Sequence, residues 1–444
     1  AKPPRLAAME HVRLSVVLPS GSAVLDGVEM PTDGLVAQLQ RQVQSALGKH
    51  IATLISARGV LLQSGMSIAA AGLREGDVVT AVVAALPTIF STDKAFASMA
   101  TDGSVVTWGM DTFGGDSSAV REQLTCDVRH IHSNRAAFAA VKTDGSVVTW
   151  GPAEVGGDIS PVREQLAGGV KHVYSTYRAF AALKDDGSVV TWGDPLYGSD
   201  SGSVREHLAS GVRTICSTVH AFAALKDSGS VVSWNEPDGE MAIQTPADQL
   251  TSGVRKVCST DLAFAAIKGD GSVVTWGDTR WGGDSSKVAA ELAEGVQDVY
   301  SNSRAFAAVK HGGSVVTWGF KEHGGDSGEV QAQIAGGVEK IYSTYGGAFA
   351  AVKADGTVVS WGGLRYREKS LAVPEELRNV REIFTTESAF AAVGQDGRVF
   401  TWGHKEPGRR QRRSTGAAAE RRAPRLFHQP CFRSCQKQRR IGHL

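Results

Sequence analysis

Asp186-Gly-Ser-Val-Val-Thr-Trp-Gly193 is the stretch that decides the fold of this 444-residue chain, because it recurs with little change through most of the sequence. Its tryptophan returns every 42 residues, with one interval of 43 and one of 41, at positions 108, 150, 192, 234, 276, 318, 361 and 402. A fixed period of this length is typical of a repeat architecture, in which each unit buries its apolar faces against its neighbours.

Each unit predicts three short strands. In the third copy, residues 170–176 and 179–184 are apolar runs, and the second run joins residues 188–192 through the tight-turn sequence Asp185-Asp-Gly187. A phenylalanine also returns in every unit, and we expect it to pack with the tryptophan between neighbouring sheets. Three strands cannot bury both faces of a sheet alone, and radial closure would protect the sheet edges. We therefore predict a mainly β protein with a β-propeller of seven or eight short-stranded blades over residues 87–403.

The unit AFAALKDDGSVVTWGDPLYG, residues 179–198, resembles the repeat of the regulator of chromosome condensation family. That repeat has the core A-L-x-x-x-G-x-V-x-x-W-G, followed by a polar turn and a glycine. The 42-residue period is closer to the β-lactamase inhibitory protein branch of the superfamily. The resemblance implies a propeller, commonly of seven blades, so eight copies imply eight blades or one copy shared at the closure. The loops that carry guanine-nucleotide exchange in the family have no recognisable match in this sequence, so the resemblance does not imply that activity.

Residues 11–86 predict a separate domain. Two strands at 14–18 and 23–25 flank a hairpin turn, and two more follow at 52–56 and 77–83. Between them, Thr32-Asp33 can cap a helix. Its predicted apolar face consists of Leu35, Leu39, Val43 and Leu47. This order is that of a β-grasp fold.

Residues 53–83 resemble the second half of ubiquitin in layout. The resemblance implies an apolar recognition patch at Ile55 and Val82, with Thr80 beside them, although the three positions also fit ordinary β-grasp residues. The last strand runs on into the repeats instead of ending in an exposed di-glycine. We therefore expect a built-in domain that docks to receptors of the ubiquitin system, rather than a modifier attached to other proteins.

The tail, residues 404–444, is rich in arginine and predicts either a nuclear or nucleic-acid segment or a disordered tail. A third interpretation accounts for more of it. If the reading frame is displaced, residues 409–413 can encode Gly-Asp-Ser-Gly-Glu, the text of residues 325–329. Residues 431–436 can encode Ala-Phe-Ala-Ala-Val-Lys, with the phenylalanine 30 residues after Trp402, as Phe138 follows Trp108. The tail therefore reads as a ninth repeat translated out of frame.

Charge and composition exclude several classes of function. The tail holds 12 Lys and Arg against 2 Asp and Glu, which leaves 35 basic and 44 acidic residues in the rest of the chain. An acidic folded part disfavours nucleic acid as a partner, and no apolar run approaches the roughly 20 residues of a membrane span. Residues 1–10 predict a flexible N-terminus without a secretion signal or initiator Met, so the true N-terminus is expected upstream. Cys216 and Cys258 fill one apolar slot and predict reduced core residues. An intracellular location, cytoplasmic or nuclear, is expected.

No signature of metal, phosphate or nucleophile chemistry occurs, so neither a cofactor nor a catalytic residue is predicted. An aspartate recurs before most of the short amphipathic stretches, as at Asp116, although Ala242 and Lys369 break the pattern. One carboxylate per repeat favours a helix N-cap that accepts backbone N–H groups of the next turn over a calcium ligand. The loop after each tryptophan varies between repeats, and one slot in it holds candidate partner-binding side chains. These are Phe113, Tyr197, Trp281 and His323, for which packing on the neighbouring blade is the alternative.

The sequence therefore predicts a non-enzymatic scaffold or adaptor that binds a protein partner through propeller loops. Two alternatives stay open. The chain could be a truncated fragment of a ubiquitin ligase whose catalytic domain lies downstream, or a guanine-nucleotide exchange factor for a small GTPase.

Overall fold

The computed structural model describes residues 11–47, 51–83, 87–235, 244–363 and 371–403. The chain divides into two compact units, residues 1–88 and 89–444. The predictions for the N-terminus at 1–10 and for the tail at 404–444 lie outside the described residues. In the described ranges, no helix has the length and apolar character that crossing a bilayer requires.

The first unit is a mixed five-stranded sheet with one helix. The strands are β1 (His11–Val17), β2 (Ala23–Pro31), β3 (Ile51–Ser56), β4 (Leu61–Leu62) and β5 (Val78–Val83), and the helix is α1 (Val36–Leu47). The sheet order is β2-β1-β5-β3-β4, and β1 pairs parallel with β5. Leu14, Leu39, Leu54 and Val79 are buried in its core. The predicted order of strands and helix is present, while the closer likeness to ubiquitin stays a prediction.

One detail of the predicted helix is wrong. Leu35 was expected on the buried face, but it lies one residue before α1 and is 44% exposed. Its backbone instead forms an isolated β-bridge with the backbone of Ser67. Val36 takes the buried position at the start of the helix.

The second unit contains eight three-stranded antiparallel sheets in its described residues, one for each repeat. The first four sheets are β6–β8 (Thr88–Ser91, Ala95–Met99, Val105–Gly109), β9–β11 (Val128–Ser133, Phe138–Lys142, Val147–Trp150), β12–β14 (Val170–Ser175, Ala179–Lys184, Val189–Gly193) and β15–β17 (Val212–Ser217, Phe222–Lys226, Val231–Trp234). The fifth and sixth are β18–β20 (Val254–Ser259, Ala263–Lys268, Val273–Gly277) and β21–β23 (Val296–Ser301, Ala305–Lys310, Val315–Gly319), with the helical turn α2 (Ala289–Leu292) between them. The last two are β24–β26 (Val338–Ser343, Ala348–Lys353, Val358–Gly362) and β27–β29 (Val380–Thr385, Ala389–Gly394, Val399–Gly403). The mainly β architecture of one small sheet per repeat is confirmed, and the number of blades in a closed ring stays a prediction.

Consecutive sheets pack through two different faces. Phe180 and Trp192 stack with ring centroids 5.3 Å apart on one face of their sheet, which we call the aromatic face. They lie against Ala137 and Ala139 on the opposite, or alanine, face of the preceding sheet. The indole Nε1–H of Trp192 donates to the carbonyl of Gly156 in the preceding repeat, at 3.1 Å. The small alanines let the large rings of the next sheet approach closely, which explains why both residue types return with the period.

Small polar side chains repeat the same link at the edge of the sheets. The Ser175 hydroxyl donates to the carbonyl of Ser133, at 3.0 Å, and the Ser217 hydroxyl donates to that of Ser175, at 2.7 Å. The predicted packing of the aromatic slots between sheets is confirmed for the second to eighth repeats. In the first repeat it is wrong, because none of the described repeat sheets packs on Phe96 and Trp108, and both are 44% exposed.

Candidate functional site

The variable loops and the first turn of each sheet lie at the same end of the sheets. Because the three strands are antiparallel, the turn between the first two strands and the loop after the third leave the sheet together. Backbone hydrogen bonds join them: the N–H of Asp194 donates to the carbonyl of Arg178, at 3.1 Å, and the N–H of Phe320 donates to that of Arg304, at 2.9 Å. We call this surface the loop end.

The four aromatic residues predicted for partner binding each end a short 3-10 helix at the loop end. These helices are Asp111–Phe113, Pro195–Tyr197, Thr279–Trp281 and Lys321–His323. Their last carbonyl is held by a buried side chain at the strand end of the same repeat. The Thr176 hydroxyl donates to the carbonyl of Tyr197, at 2.8 Å, and the Asn302 amide donates to that of His323, at 2.7 Å. In the five repeats whose loop slot the structure describes, the slot is therefore fixed in position, whatever side chain it carries.

Three of the four side chains are partly exposed, and each lies beside a cation. The Phe113 ring has Lys94 Nζ 4.9 Å from its centroid and the Arg135 guanidinium at 5.9 Å. The Arg304 guanidinium lies 4.3 Å from the centroid of the Trp281 ring. Such pairs hold the rings in place while leaving part of each ring accessible.

Tyr197 belongs to the densest of these clusters. Its ring lies 4.5 Å from the His220 ring and 6.1 Å from the Tyr177 ring, by their centroids. The Arg178 guanidinium lies 5.4 Å from the Tyr197 centroid and forms an ion pair with Asp194, at 3.1 Å. Burial lowers the pKa of His220, so this cluster favours a neutral imidazole.

His323 does not fit the prediction of an accessible anchor. Its side chain is only 3% exposed, its Nδ1 lies 3.3 Å from the Ser303 hydroxyl, and its ring packs on Phe320. For this member of the slot, packing within the repeat array is what the structure shows. Phe320, three residues earlier, takes the partly exposed place beside Arg304.

The sequence interpretation missed a second variable slot, in the turn between the first two strands. Its residues are Asp93, Arg135, Tyr177, Val219, Asp261, Ser303, Tyr345 and Glu387, each 42 residues after the last. We call them the turn row. Their backbones join in series: the N–H of Asp93 donates to the carbonyl of Arg135, at 3.0 Å, and this pattern continues through Asp261 to Ser303. The signal was available, because this slot varies inside a segment that reads S-[TN]-x-x-A-F-A in the first six repeats and departs from it by one residue in each of the last two.

Two members of the turn row meet although they are 84 residues apart. The Tyr345 hydroxyl donates to Oδ2 of Asp261, at 3.0 Å. Burial raises the pKa of Asp261 to about 6, against the opposing effects of this hydrogen bond and of the Arg304 charge. Between pH 4 and 6, approximately, the folded protein therefore holds a proton that the unfolded chain releases.

This carboxyl group predicts a pH-dependent loss of stability. As the pH rises from the ordinary pKa of 3.8 to about 6, ionisation favours the unfolded chain, and the loss is complete above that range. One pKa unit corresponds to about 1.4 kcal/mol, so Asp261→Asn should raise the free energy of unfolding at neutral pH by up to about 3 kcal/mol and change it little near pH 4. Denaturant unfolding at the two pH values measures both.

The matched variant for this prediction is Tyr345→Phe. It removes the hydrogen bond that lowers the Asp261 pKa, so the loss of stability should extend to higher pH. If wild type and Asp261→Asn lose stability equally across this range, the assignment to Asp261 is wrong.

In the first unit, Ile55, Thr80 and Val82 lie on the outer face of the sheet. Ile55 pairs with Thr80 across β3 and β5, and all three are partly exposed. Leu61, which pairs with Ile55 across β3 and β4, is 61% exposed, and Val78 on β5 is 41% exposed. The three predicted residues are thus brought together within a wider apolar face.

The repeated charged side chains form turn and helix contacts. The Asp116 carboxylate accepts the backbone N–H of Ser118, at 2.8 Å, and this hydrogen bond lowers the pKa of Asp116. The aspartates at 158, 200, 284 and 326 each accept the backbone N–H of the residue two positions on. These aspartates accept a backbone N–H of the next turn, as predicted, but each lies one residue before the N-cap of its short helix, which is Ser117 in the first repeat. Lys184 Nζ donates to the carbonyl of Gln165 at the end of the preceding helical stretch. Cys216 and Cys258 are buried thiols, as predicted. In the described parts of the chain, no group of three or more His, Cys, Asp or Glu side chains is arranged to hold a metal ion.

Comparisons with known proteins find similarity only among solved structures. No protein-family model and no curated protein matches the chain. It is similar to the CRINKLY WD40 ectodomain of the Arabidopsis thaliana receptor kinase ACR4, with 15% identity over 62% of this chain and 93% of that one and a TM-score of 0.35. It is also similar to yeast RCC1 (Prp20), solved with Kap60, with 15% identity over 53% and 70% and a TM-score of 0.33. The designed Ika8 protein gives 15% identity over 72% and 96%, with a TM-score of 0.33. Sequence identities and TM-scores this low do not assign the chain to a family. The description of the fold therefore depends on the strands and contacts of the chain itself.

Proposed function

We propose that this protein is a non-enzymatic scaffold that binds a protein partner at the loop end of its repeats. The observation that carries the proposal is the placement of both variable slots on this one end. The turn row, the residues that directly follow it and the loop slot together bring arginines and aromatic rings to positions that are only partly buried. Tryptophan, tyrosine and arginine dominate the binding energy of protein interfaces.

The loop end is also preorganised for binding. The backbone hydrogen bonds of the turn row and the Thr and Asn side chains under the loops hold both slots before any partner arrives. A surface held in its bound conformation loses less conformational entropy on association, so more of the contact energy appears as affinity. Variable side chains on a constant framework then allow specificity to differ while the fold stays the same.

For the first unit we propose docking to receptors of the ubiquitin system through Ile55, Thr80 and Val82. What supports this is the apolar outer face, to which Leu61 and Val78 add exposed area. An apolar sheet face of this kind, rimmed by polar residues, is characteristic of a protein interaction site. The two surfaces would make the chain an adaptor that joins two proteins.

The loop-end proposal predicts a large loss of affinity from arginine truncation. A binding partner is first selected from a display library of protein domains encoded by the source organism. The Kd of its complex with the wild-type chain is then measured by calorimetry. Arg178→Ala and Arg304→Ala should each weaken binding by roughly 2 kcal/mol, about thirtyfold in Kd, because each removes a cation that lies on an aromatic ring at the surface.

Arg163→Ala is the matched control. It removes an exposed arginine from the repeat before that of Arg178, away from the turn row and the loop slot in sequence, and should leave the Kd within about twofold. A partner that binds all three variants equally well does not use the loop end, and the proposal would then be abandoned.

A further inference from the structure

The boundary between consecutive sheets is a single interface that the chain forms seven times. At each boundary the aromatic face of one sheet packs on the alanine face of the sheet before it. At the first, Phe138, Val148 and Trp150 lie against Ala95 and Ala97. At the last, Phe390 and Trp402 lie against Ala348 and Ala350. The two halves of the interface are different, so a row of sheets always ends with one unused half of each kind.

The first sheet presents the unused aromatic half. Phe96 and Trp108 are each 44% exposed and Val106 is 65% exposed. Their counterparts one repeat later, Phe138, Trp150 and Val148, are 0%, 3% and 4% exposed. The same residue types in the same slots thus differ only in whether another sheet covers them.

The last sheet presents the unused alanine half. Val399 is 57% exposed and Phe384 is 37% exposed, whereas Val315, in the slot of Val399, is 1% exposed. Ala391 is partly exposed, although Ala307 in the same slot is fully buried. Neither end carries the polar outer face that a terminal capping repeat needs for solubility.

We propose that the two end faces bind each other between copies, so that the last sheet of one copy packs on the first sheet of the next. The occupant is a second copy because each face is the complement of the other and continues an interface already present in the chain. The contact is heterologous: it uses a different surface on each copy, and it adds copies in one direction until a ring closes or a filament forms. By the register of the internal boundaries, the Ser91 hydroxyl of one copy would donate to the carbonyl of Thr385 in another, as Ser133 donates to Ser91.

The proposal is tested on the full chain by sedimentation velocity over about a hundredfold range of concentration. Wild type should grow from one copy to larger species as the concentration rises. Trp108→Glu blocks the aromatic end and Val399→Glu blocks the alanine end, and each variant alone should stay monomeric. Both side chains are exposed, so circular dichroism should show the folded spectrum. Val106→Glu serves as a second variant of the first face if Trp108→Glu does not fold.

The decisive sample is a mixture of the two blocked variants. Each retains the face that the other lacks, so together they should form a dimer of one copy of each and nothing larger. Leu196→Glu, an exposed apolar residue at the loop end, is the control and should associate as wild type does. A wild type that is monomeric throughout, association that persists in either blocked variant, or a mixture that stays monomeric would each overturn the proposal.

Discussion

Phe264→Ala is expected to lower the free energy of unfolding of the repeat array by about 3–5 kcal/mol, whereas Phe96→Ala should lower it by less than about 1 kcal/mol. The two phenylalanines occupy the same slot, and each stacks on the tryptophan of its own repeat, with ring centroids 5.2 Å apart for Phe264 and Trp276 and 5.5 Å apart for Phe96 and Trp108. Phe264 is fully buried between two sheets, so truncation leaves a cavity that the rigid neighbours cannot fill. Phe96 is exposed on one side, and water fills the space.

Guanidinium unfolding followed by tryptophan fluorescence measures this difference, at low protein concentration so that the first sheet stays uncovered. If Phe264→Ala does not fold, Phe264→Leu provides a smaller step in the same direction. Equal losses at the two sites would mean that the first sheet is covered in solution, and the exposure of its aromatic face would be wrong.

The second large effect is expected at the glycine of each hairpin turn. Gly187 has φ +76°, and a Cβ atom there would lie 2.7 Å from the backbone nitrogen of Gly211 in the following repeat. Gly397 occupies the same slot of the last sheet with φ +80° and has no neighbour within 4 Å of such an atom. Gly397→Ala should therefore cost only the left-handed backbone strain, about 1–2 kcal/mol. Gly187→Ala should cost about 1–3 kcal/mol more, because backbone atoms must also move.

Thermal unfolding of the two variants isolates the contribution of the following repeat, since the backbone conformation is the same at both sites. Gly356→Ala offers a further comparison, because Gly356 occupies the same slot in the seventh repeat and a Cβ atom there would lie 3.0 Å from the Oδ1 atom of the Asn379 side chain. Its loss of stability should fall between those of Gly187→Ala and Gly397→Ala. A loss at Gly397 as large as that at Gly187 would contradict the interpretation that packing on the next repeat makes the difference.

The candidate site was only partly predictable from the sequence. The loop slot was found because a variable segment follows a constant tryptophan, and Phe113, Tyr197 and Trp281 are indeed partly exposed there. The burial of His323 involves Ser303, which lies 20 residues earlier in the chain, and no local pattern indicates that contact. The turn row is harder to recognise in the sequence, because its residues are single positions 42 apart. Their backbones form hydrogen bonds with one another only because the sheets stack.

By itself, the sequence determined the strands, their turns and the aromatic and alanine slots, because hairpin formation and apolar patterning depend on residues a few positions apart. Because the same local pattern occurs in each repeat, the described residues of the second unit form eight similar sheets. Only the tertiary structure decided which copies are covered. Phe96 and Phe264 occupy the same slot in similar local sequences, yet they are 44% and 0% exposed, because burial depends on whether a neighbouring sheet packs on them. The pKa of Asp261 depends on the tertiary structure in the same way, since burial raises it and the hydrogen bond from Tyr345, 84 residues away, opposes the rise.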